Sequence, residues 1–407
     1  MKTKLSLLLN YLLWTTGVLS CLLLSACSNV SATQQTGLPY IIDFEQCISE
    51  ARNIKISDIA DTIELIELKS PEELPISMVW NFIPVGEYWF IHASEGIYKF
   101  TNKGEYITKI SGQGQGPSEY VNLCDIAVDT IRNEFLINDY TKLLFFDLDG
   151  NYLRMEKKKE HLYRVDFSDT ILWGTGSGRE TDKYTIYGLN EKQDIIYSKP
   201  NSFYGMRPQI AGGGSYMSLW KPFYHYKNTL YMNGPGCNDT IYQLKGRQCT
   251  PYAVFNMGKY KLPLEYEAWN NYDAHWKNGY HYWNIPALTE DERYFFIIAQ
   301  RYAPENGDRS KRAGAYRYIM YDKKVRNGFM VNENEDTQID DDILNGPPIW
   351  PTWTTDDYYV SVLRPYQYEK KIKEKHYTPT PQLQKIVDSW NYDTNVHLML
   401  CRKKKIN

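Results

Sequence analysis

Gly96-Ile-Tyr-Lys-Phe-Thr-Asn-Lys-Gly-Glu-Tyr-Ile-Thr-Lys-Ile110 and, further along, Lys142-Leu-Leu-Phe-Phe-Asp-Leu-Asp-Gly-Asn-Tyr-Leu-Arg-Met-Glu156 are two copies of one hairpin pattern. Each copy has an apolar strand, a polar turn that ends in glycine, and a second strand that opens with an aromatic residue. The turn glycines Gly104 and Gly150 are offset by 46 residues, which is close to the ~40–50-residue period of a four-stranded β-propeller blade. The repeat therefore predicts an all-β propeller.

One full period can be followed between the two copies. A glycine-rich segment at 111–120 is followed by an apolar strand at 125–129, a turn, and a second strand at 134–139. This order is expected when the chain leaves the outer edge of one blade and enters the centre of the next.

Two motifs resemble a known family. Gly112-Gln-Gly-Gln-Gly-Pro-Ser-Glu-Tyr120 resembles the blade junction of six-bladed β-propeller lipoproteins of Gram-negative gut bacteria, which are akin to NHL- and TolB-like propellers. Asn238-Asp-Thr-Ile-Tyr-Gln-Leu244 is similar to a fourth-blade hairpin of the same family. The resemblance covers roughly residues 40–405 and implies six four-stranded antiparallel blades over residues 41–407. Ser118, where the family often has glycine, and a Trp-rich insertion at 266–283 depart from the pattern.

The two ends of the propeller are predicted to meet. An open edge strand exposes unpaired backbone groups, so a propeller closes its ring. We expect the last apolar strand, 395–401, to share a blade with the alternating segment Thr62–Leu68.

The first 26 residues have the features of a secretory signal peptide. Lys2 and Lys4 precede an apolar run, and Leu24-Ser-Ala-Cys27 resembles a bacterial lipobox. Cys27 is then the acylated first residue, and residues 27–40 form a polar, flexible tether. Several acyl chains at ~0.8 kcal/mol per buried CH₂ make a durable membrane anchor. The alternative is an uncleaved membrane helix.

Charge and compartment limit the partners. Without the signal peptide the chain has a formal charge of −5, because 49 acidic residues outweigh the 44 remaining lysines and arginines. This argues against a nucleic-acid partner, which requires a basic face. The expected location is the outer membrane, on its periplasmic side, with the cell surface as the alternative. Cys237 and Cys249 are the nearest cysteine pair after Cys27, and the sequence leaves open whether they are bridged.

No motif assigns a catalytic residue, a metal ligand or a cofactor. The glycine-rich loops lack the context of a phosphate-binding loop, and Asp147-Leu-Asp-Gly-Asn151 is better explained as a turn than as a calcium loop. The seven histidines are scattered without zinc-ligand spacing. No Gly-x-Ser-x-Gly elbow is present.

Aromatic clusters are the candidate binding residues. Tryptophans interleaved with polar side chains could line a groove and stack on a sugar or peptide; they are Trp269, Trp276, Trp283, Trp350 and Trp353. The alternative is that these rings pack between blades as core.

Two functions follow as hypotheses. The first is a non-enzymatic, lipid-anchored binding or scaffold protein whose ligand is a glycan, a peptide or a protein. The alternative is a hydrolase or lyase with a metal-assisted site in the propeller channel. Histidines and carboxylates converging at the channel mouth would favour the enzyme.

Overall fold

The structure, a computed structural model, describes residues 37–71, 75–176, 180–206, 222–234, 239–268, 270–305, 308, 316–332, 338–375, 377–391 and 394–405. Residues 39–407 form one compact unit with six separate β-sheets, which confirms the predicted six-bladed propeller. Within the described ranges, no helix has the length and apolar character needed to cross a membrane. The predicted signal peptide and Cys27 lie outside these ranges.

The chain begins with a segment that we call the N-terminal strap, residues 40–67. Its elements are β1 (Tyr40–Asp43), α1 (Phe44–Ser49), β2 (Ala51–Arg52), α2 (Ile56–Ile59) and β3 (Ala60–Glu67).

Blades 1, 2 and 3 are each built from four consecutive strands. Blade 1 contains β4 (Val79–Val85), β5 (Tyr88–Ala93), β6 (Gly96–Thr101) and β7 (Tyr106–Ser111); blade 2 contains β8 (Leu123–Asp129), β9 (Glu134–Asp139), β10 (Lys142–Asp147) and β11 (Tyr152–Lys157); blade 3 contains β12 (Arg164–Ser168), β13 (Ile171–Thr175), β14 (Tyr184–Leu189) and β15 (Ile195–Pro200). The central strands β9 and β10 of blade 2 are largely buried and have apolar residues at their centres, whereas the outer strand β11 is largely exposed.

Blades 4, 5 and 6 follow the same order but include strap strands. Blade 4 contains β16 (Phe223–Tyr226), β17 (Thr229–Asn233), β18 (Thr240–Lys245) and β19 (Gln248–Asn256); blade 5 contains β20 (Trp283–Glu290), β21 (Tyr294–Arg301), β22 (Tyr316–Asp322) and β23 (Asn327–Val331); blade 6 contains β24 (Trp353–Thr354), β25 (Tyr358–Leu363) and β26 (His397–Lys403). The fourth strand of blade 6 is β3, which pairs antiparallel with β26 from His397–Glu67 to Lys403–Ala60. This confirms the predicted closure of the ring.

The strap also covers the outer edges of two other blades. Strand β1 pairs in parallel with β19, with Tyr40 opposite Ala253, and β2 pairs in parallel with β23, with Ala51 opposite Met330. Both pairings satisfy edge groups that would otherwise face solvent. The sequence pattern did not predict them, because short strands carry almost no periodic signal.

The connections between strands divide into two groups. In an antiparallel blade, the link between the second and third strands leaves from the same end as the crossing to the next blade. Within the described residues the long connections therefore lie on one side, which we call the long-loop face; their described parts include residues 112–122, 257–268, 270–282, 338–352, 364–375 and 377–391. The opposite side, the turn face, has tight turns such as 86–87, 102–105 and 148–151.

The remaining helices lie in the long connections. The crossing 257–282 contains α3 (Tyr272–Asn278) and the 3₁₀ turns Gly258–Tyr260, Leu264–Tyr266 and Gly279–His281; the connection 364–396 contains α4 (Pro365–Lys375) and α5 (Pro381–Asp388).

The turns of the repeated hairpin have the expected chemistry. Gly104 and Gly150 have φ of +79° and +91°, a left-handed conformation that glycine adopts without strain. Asp147 Oδ1 accepts hydrogen bonds from the backbone N–H groups of Asp149 and Asn151. This carboxylate therefore closes the turn, as the turn interpretation predicted.

Candidate functional site

The first strands of the blades line the propeller axis. Contacts join the first strands of neighbouring blades: β4 with β8, β8 with β12, β12 with β16, and β20 with β24. Polar side chains on these strands therefore gather around the axis.

Three blades repeat one axial hydrogen bond. In Asn81, Asp125 and Asp166, the side-chain Oδ1 accepts the backbone N–H of the next residue at 2.9 Å. Asp125 Oδ2 also accepts the N–H of Val165 in the next blade at 3.0 Å. These contacts stabilise first strands and hold blade 2 against blade 3.

One histidine lies beside an axial carboxylate. His225 Nε2 lies 3.3 Å from Asp166 Oδ1. Asp125 and Asp166 are nearly buried, and their described contacts to backbone N–H groups are structural. Among the described residues, no group of three His, Cys, Asp or Glu side chains is arranged to hold a metal ion.

Trp80 is the most exposed aromatic ring at this mouth. The β4–β5 pairing passes from Val79–Ala93 to Asn81–His92, so Trp80 is the extra residue of a β-bulge, a device that re-aims a side chain. The Trp80 side chain is 52% exposed. Its Nε1–H donates to Met78 Sδ at 2.7 Å, and the His92 ring lies 4.7 Å away at 70°. The ring is therefore held in one orientation while much of it faces solvent.

His92 is uncharged at neutral pH. Burial lowers the pKa of the imidazole to about 4, and the positive charge of Arg164 acts in the same direction. His92 thus supports the Trp80 ring as an aromatic neighbour rather than as a cation.

Hydroxyl and carboxylate groups adjoin Trp80. Ser94 N–H donates to Met78 O at 3.3 Å, so the turn that begins at Ser94 is tied to the residue that orients Trp80. Ser77 Oγ lies 2.9 Å from Ser94 Oγ and donates to Glu95 Oε1 at 3.1 Å, which also accepts from Ser94 Oγ. We call Ser77, Ser94 and Glu95 the acceptor cluster.

Sequence reasoning missed Trp80, since an isolated tryptophan near the start of a strand is typical of core. A bulge cannot be recognised from one strand alone, because it is defined by the register with its partner.

The five tryptophans predicted to bind a ligand lie in different environments. Trp269 is outside the described residues. Trp283 is 3% exposed and packs on Phe44 at 5.9 Å. Trp350 is 5% exposed and packs against Tyr318 at 5.0 Å, as the core interpretation predicted for this ring. Trp276 in α3 and Trp353 at the start of β24 are half-buried.

A buried polar network joins blades 4 and 5. Glu290 is fully buried and accepts hydrogen bonds from Tyr224 Oη and Tyr252 Oη, both at 2.9 Å. Lys323 Nζ lies 2.6 Å from Glu290 Oε2. Burial raises the pKa of Glu290, while the Lys323 ammonium opposes the shift. We call these four residues the Glu290 network; a buried charge pair requires such full partnership.

The network extends to blade 6. Tyr359 Oη donates to Asp291 Oδ2, and Thr354 Oγ1 donates to Glu290 O at 3.0 Å. Burial is the main cause that raises the pKa of Tyr359, and the negative charge of Asp291 adds to it. The network therefore serves to hold three blades in register, a role that needs no ligand.

The cysteines in the described part of the chain form no metal-binding group. Cys47, Cys124, Cys249 and Cys401 are free thiols, and burial raises the pKa of each. Cys237, the other half of the candidate bridge, lies outside the described residues.

Six separate sheets, with contacts between the first strands of neighbouring blades, define the protein as a six-bladed β-propeller. The chain belongs to the family described as a domain of unknown function (DUF4934), whose model matches residues 39–402.

Solved structures are similar to this chain to different degrees. A crystal structure named "Putative exported protein" from Bacteroides fragilis is 18% identical, with a TM-score of 0.66, and the match covers 90% of this chain and 100% of that one. The extracellular domain of a putative one-component system from B. thetaiotaomicron is 10% identical with a TM-score of 0.36, covering 66% of this chain and 29% of that one. The N-terminal domain of Nup159 is 9% identical with a TM-score of 0.39, covering 80% and 77%. A search of curated proteins gave no significant match.

Proposed function

We propose that this protein is a non-enzymatic, lipid-anchored binding or scaffold protein of the cell envelope, and that it binds its partner through the long-loop face. The observation that carries the proposal is the segregation of the described long connections to that one face. Binding residues are disproportionately found on loops that a rigid scaffold positions.

The axial carboxylates have structural contacts, which support a binding or scaffold role. Asp125 accepts the backbone N–H groups of Ile126 and Val165, and Asp166 accepts the N–H of Phe167 and lies 3.3 Å from His225.

The envelope location rests on the N-terminal sequence. Lys2, Lys4, the apolar run and Leu24-Ser-Ala-Cys27 support export and acylation at Cys27. Replacing Cys27 by Ala should abolish incorporation of radiolabelled palmitate and move the protein from the membrane fraction to the soluble fraction. Retention of both label and membrane association would contradict the anchor.

Two of the predicted tryptophans support this proposal. Trp276 and Trp353 both belong to the long-loop face and keep part of their surface exposed, whereas Trp283 and Trp350 are buried and Trp269 lies outside the described residues. Rings in such positions can contribute contact area at low entropic cost.

The experiment is a binding screen of the mature chain against glycan and peptide arrays. We expect binding that weakens in a Trp276→Ala/Trp353→Ala variant of unchanged melting temperature. A variant of the exposed Tyr152 on the outer strand β11 is the control. Release of cleaved product from an array ligand would overturn the non-enzymatic proposal, and absence of binding on every array would overturn the binding role.

A further inference from the structure

We propose that Trp80 and the acceptor cluster form a subsite for one ring of a neutral saccharide, at the axial mouth of blade 1. This inference rests on the proposed function. It assigns a ligand class to a part of the long-loop face that contains none of the tryptophans predicted from the sequence.

The first argument is the presentation of Trp80. An exposed tryptophan is uncommon at the surface of a folded chain, and here a bulge places it outside the regular pairing of β4 with β5. Its N–H already donates to Met78 Sδ, so the ring offers a ligand its apolar surface rather than a hydrogen-bond donor. Contact with an apolar face is thus the interaction this side chain provides.

The second argument is the polarity of the acceptor cluster. A serine hydroxyl has one proton and two lone pairs, and an ionised carboxylate only accepts. The Ser77 and Ser94 hydroxyls both contact Glu95 Oε1 and lie 2.9 Å from each other, where either oxygen can donate; both serines are exposed. Because the two hydroxyl protons are used within the cluster, the serine oxygens present lone pairs outward. The cluster therefore selects a ligand that donates hydrogen bonds.

The third argument is continuity between the two parts. Met78 contacts Trp80 through its sulfur and Ser94 through its carbonyl oxygen. The apolar ring and the acceptors are therefore held by one residue and can contact one small ligand together.

A saccharide ring matches this combination. It has a flat face of C–H groups and a rim of hydroxyl donors, whereas a carboxylate or a phosphate brings only acceptors. The negative charge of Glu95 also disfavours an anionic ligand, since like charges at short range repel. Neutral hexose polymers fit both conditions, and uronic-acid polymers do not.

The test uses isothermal titration of the mature chain with cellohexaose, maltohexaose and a galacturonic-acid trimer. We expect a neutral oligosaccharide to bind and the acidic trimer to bind at least about tenfold more weakly. Trp80→Ala should weaken neutral binding about tenfold, the upper range for loss of one aromatic contact, and Trp80→Phe should restore part of it. Glu95→Gln should narrow the difference between the neutral and the acidic ligands.

The control is Tyr152→Ala, which removes another exposed ring from the outer edge of blade 2 and should leave affinity unchanged. Melting temperatures of all variants establish that they fold. Unchanged affinity in a folded Trp80→Ala variant, preference for the acidic trimer, or no binding of either neutral oligosaccharide would overturn the inference. Binding that is lost in Trp276→Ala/Trp353→Ala but retained in Trp80→Ala would overturn this subsite and leave the proposed function standing.

Discussion

Blades 1–3 and blades 4–6 share one architecture but take their strands from different parts of the chain. In the first half, each described sheet consists of four consecutive strands, and the crossings 112–122 and 158–163 between these blades contain no helix. In the second half, each sheet takes a strand from the N-terminal strap, and long connections contain the helices α3, α4 and α5. One half is therefore built locally, and the other depends on contacts between residues that are far apart in the chain.

The difference extends to the polar interior. The axial bonds of Asn81, Asp125 and Asp166 are made to the very next residue, while the Glu290 network joins residues 224, 252, 290 and 323. Non-local contacts form only after long loops have closed, at an entropic cost. The second half should therefore be more sensitive to single substitutions.

The largest expected effect is in the Glu290 network. Lys323→Met leaves the Glu290 carboxylate buried without its cation, and breaking such a pair costs about 3–5 kcal/mol. Equilibrium urea unfolding measures the loss. The matched control is Lys227→Met. Lys227 Nζ lies 3.3 Å from Glu292 Oε1, and both side chains are exposed. This substitution should lower the free energy of unfolding by less than about 1 kcal/mol. An equal decrease in the free energy of unfolding in the two variants would contradict the expected difference between the buried and the exposed ion pair.

Acid should weaken the first half through His92. Its folded pKa is about 4, below the value of about 6.5 in an unfolded chain. As the pH falls, His92 is therefore protonated in the unfolded state before it is protonated in the folded state. The free energy of unfolding has its full value above pH 6.5 and decreases as the pH falls towards 4. The decline amounts to about 1–3 kcal/mol. His92→Gln should flatten the profile of melting temperature against pH in this range, and an unaltered profile would contradict the assignment.

Burial also lowers the pKa values of His275 and His397 in the second half. The His92→Gln variant should therefore keep part of its acid sensitivity. Removing all of it would show that His92 alone is responsible and that the second half has no such dependence.

The strap packs tightly on blade 5, and a substitution at Gly328 would disturb that contact. A Cβ atom at this position would lie 2.3 Å from Cys47 Sγ in α1. We expect Gly328→Ala to cost about 1–3 kcal/mol through overpacking, measured as a lower urea midpoint. Adding Cys47→Ala removes the clashing sulfur and should recover part of the loss. A double variant that is no more stable than Gly328→Ala would show that the clash is not the cause.

The smallest effect is expected at the start of α1. Asp43 Oδ1 accepts the N–H of Gln46 at 3.0 Å and so caps the helix. Asp43→Ala should cost about 1 kcal/mol, and Asp43→Asn should cost much less because asparagine is also a good N-cap. Thermal melting distinguishes the two, and equal losses would indicate that charge rather than capping is what Asp43 supplies.

The repeated hairpin was predictable because its signals are local. Gly104 and Gly150 mark turns that need a positive φ, and the flanking strands have the composition of buried sheet. The closure of β3 on β26 followed from the general cost of open edges. The remaining strap pairings did not follow, because β2 is two residues long and β1 is four.

The candidate site was less predictable than the fold. The density of tryptophan in residues 269–283 and 350–353 predicted a binding site there, yet Trp283 and Trp350 are buried in the core. Trp80 has an ordinary sequence context, and its exposure depends on a bulge against β5.

The sequence by itself determined the repeating four-strand unit and its turns, and it contains the lipobox-like motif that predicts acylation at Cys27, because each of these depends on residues close together in the chain. The tertiary structure decided which rings are exposed, which carboxylates are already bonded and which blades the strap joins. Those properties depend on register and burial between distant segments, and neither is encoded in any single stretch of residues.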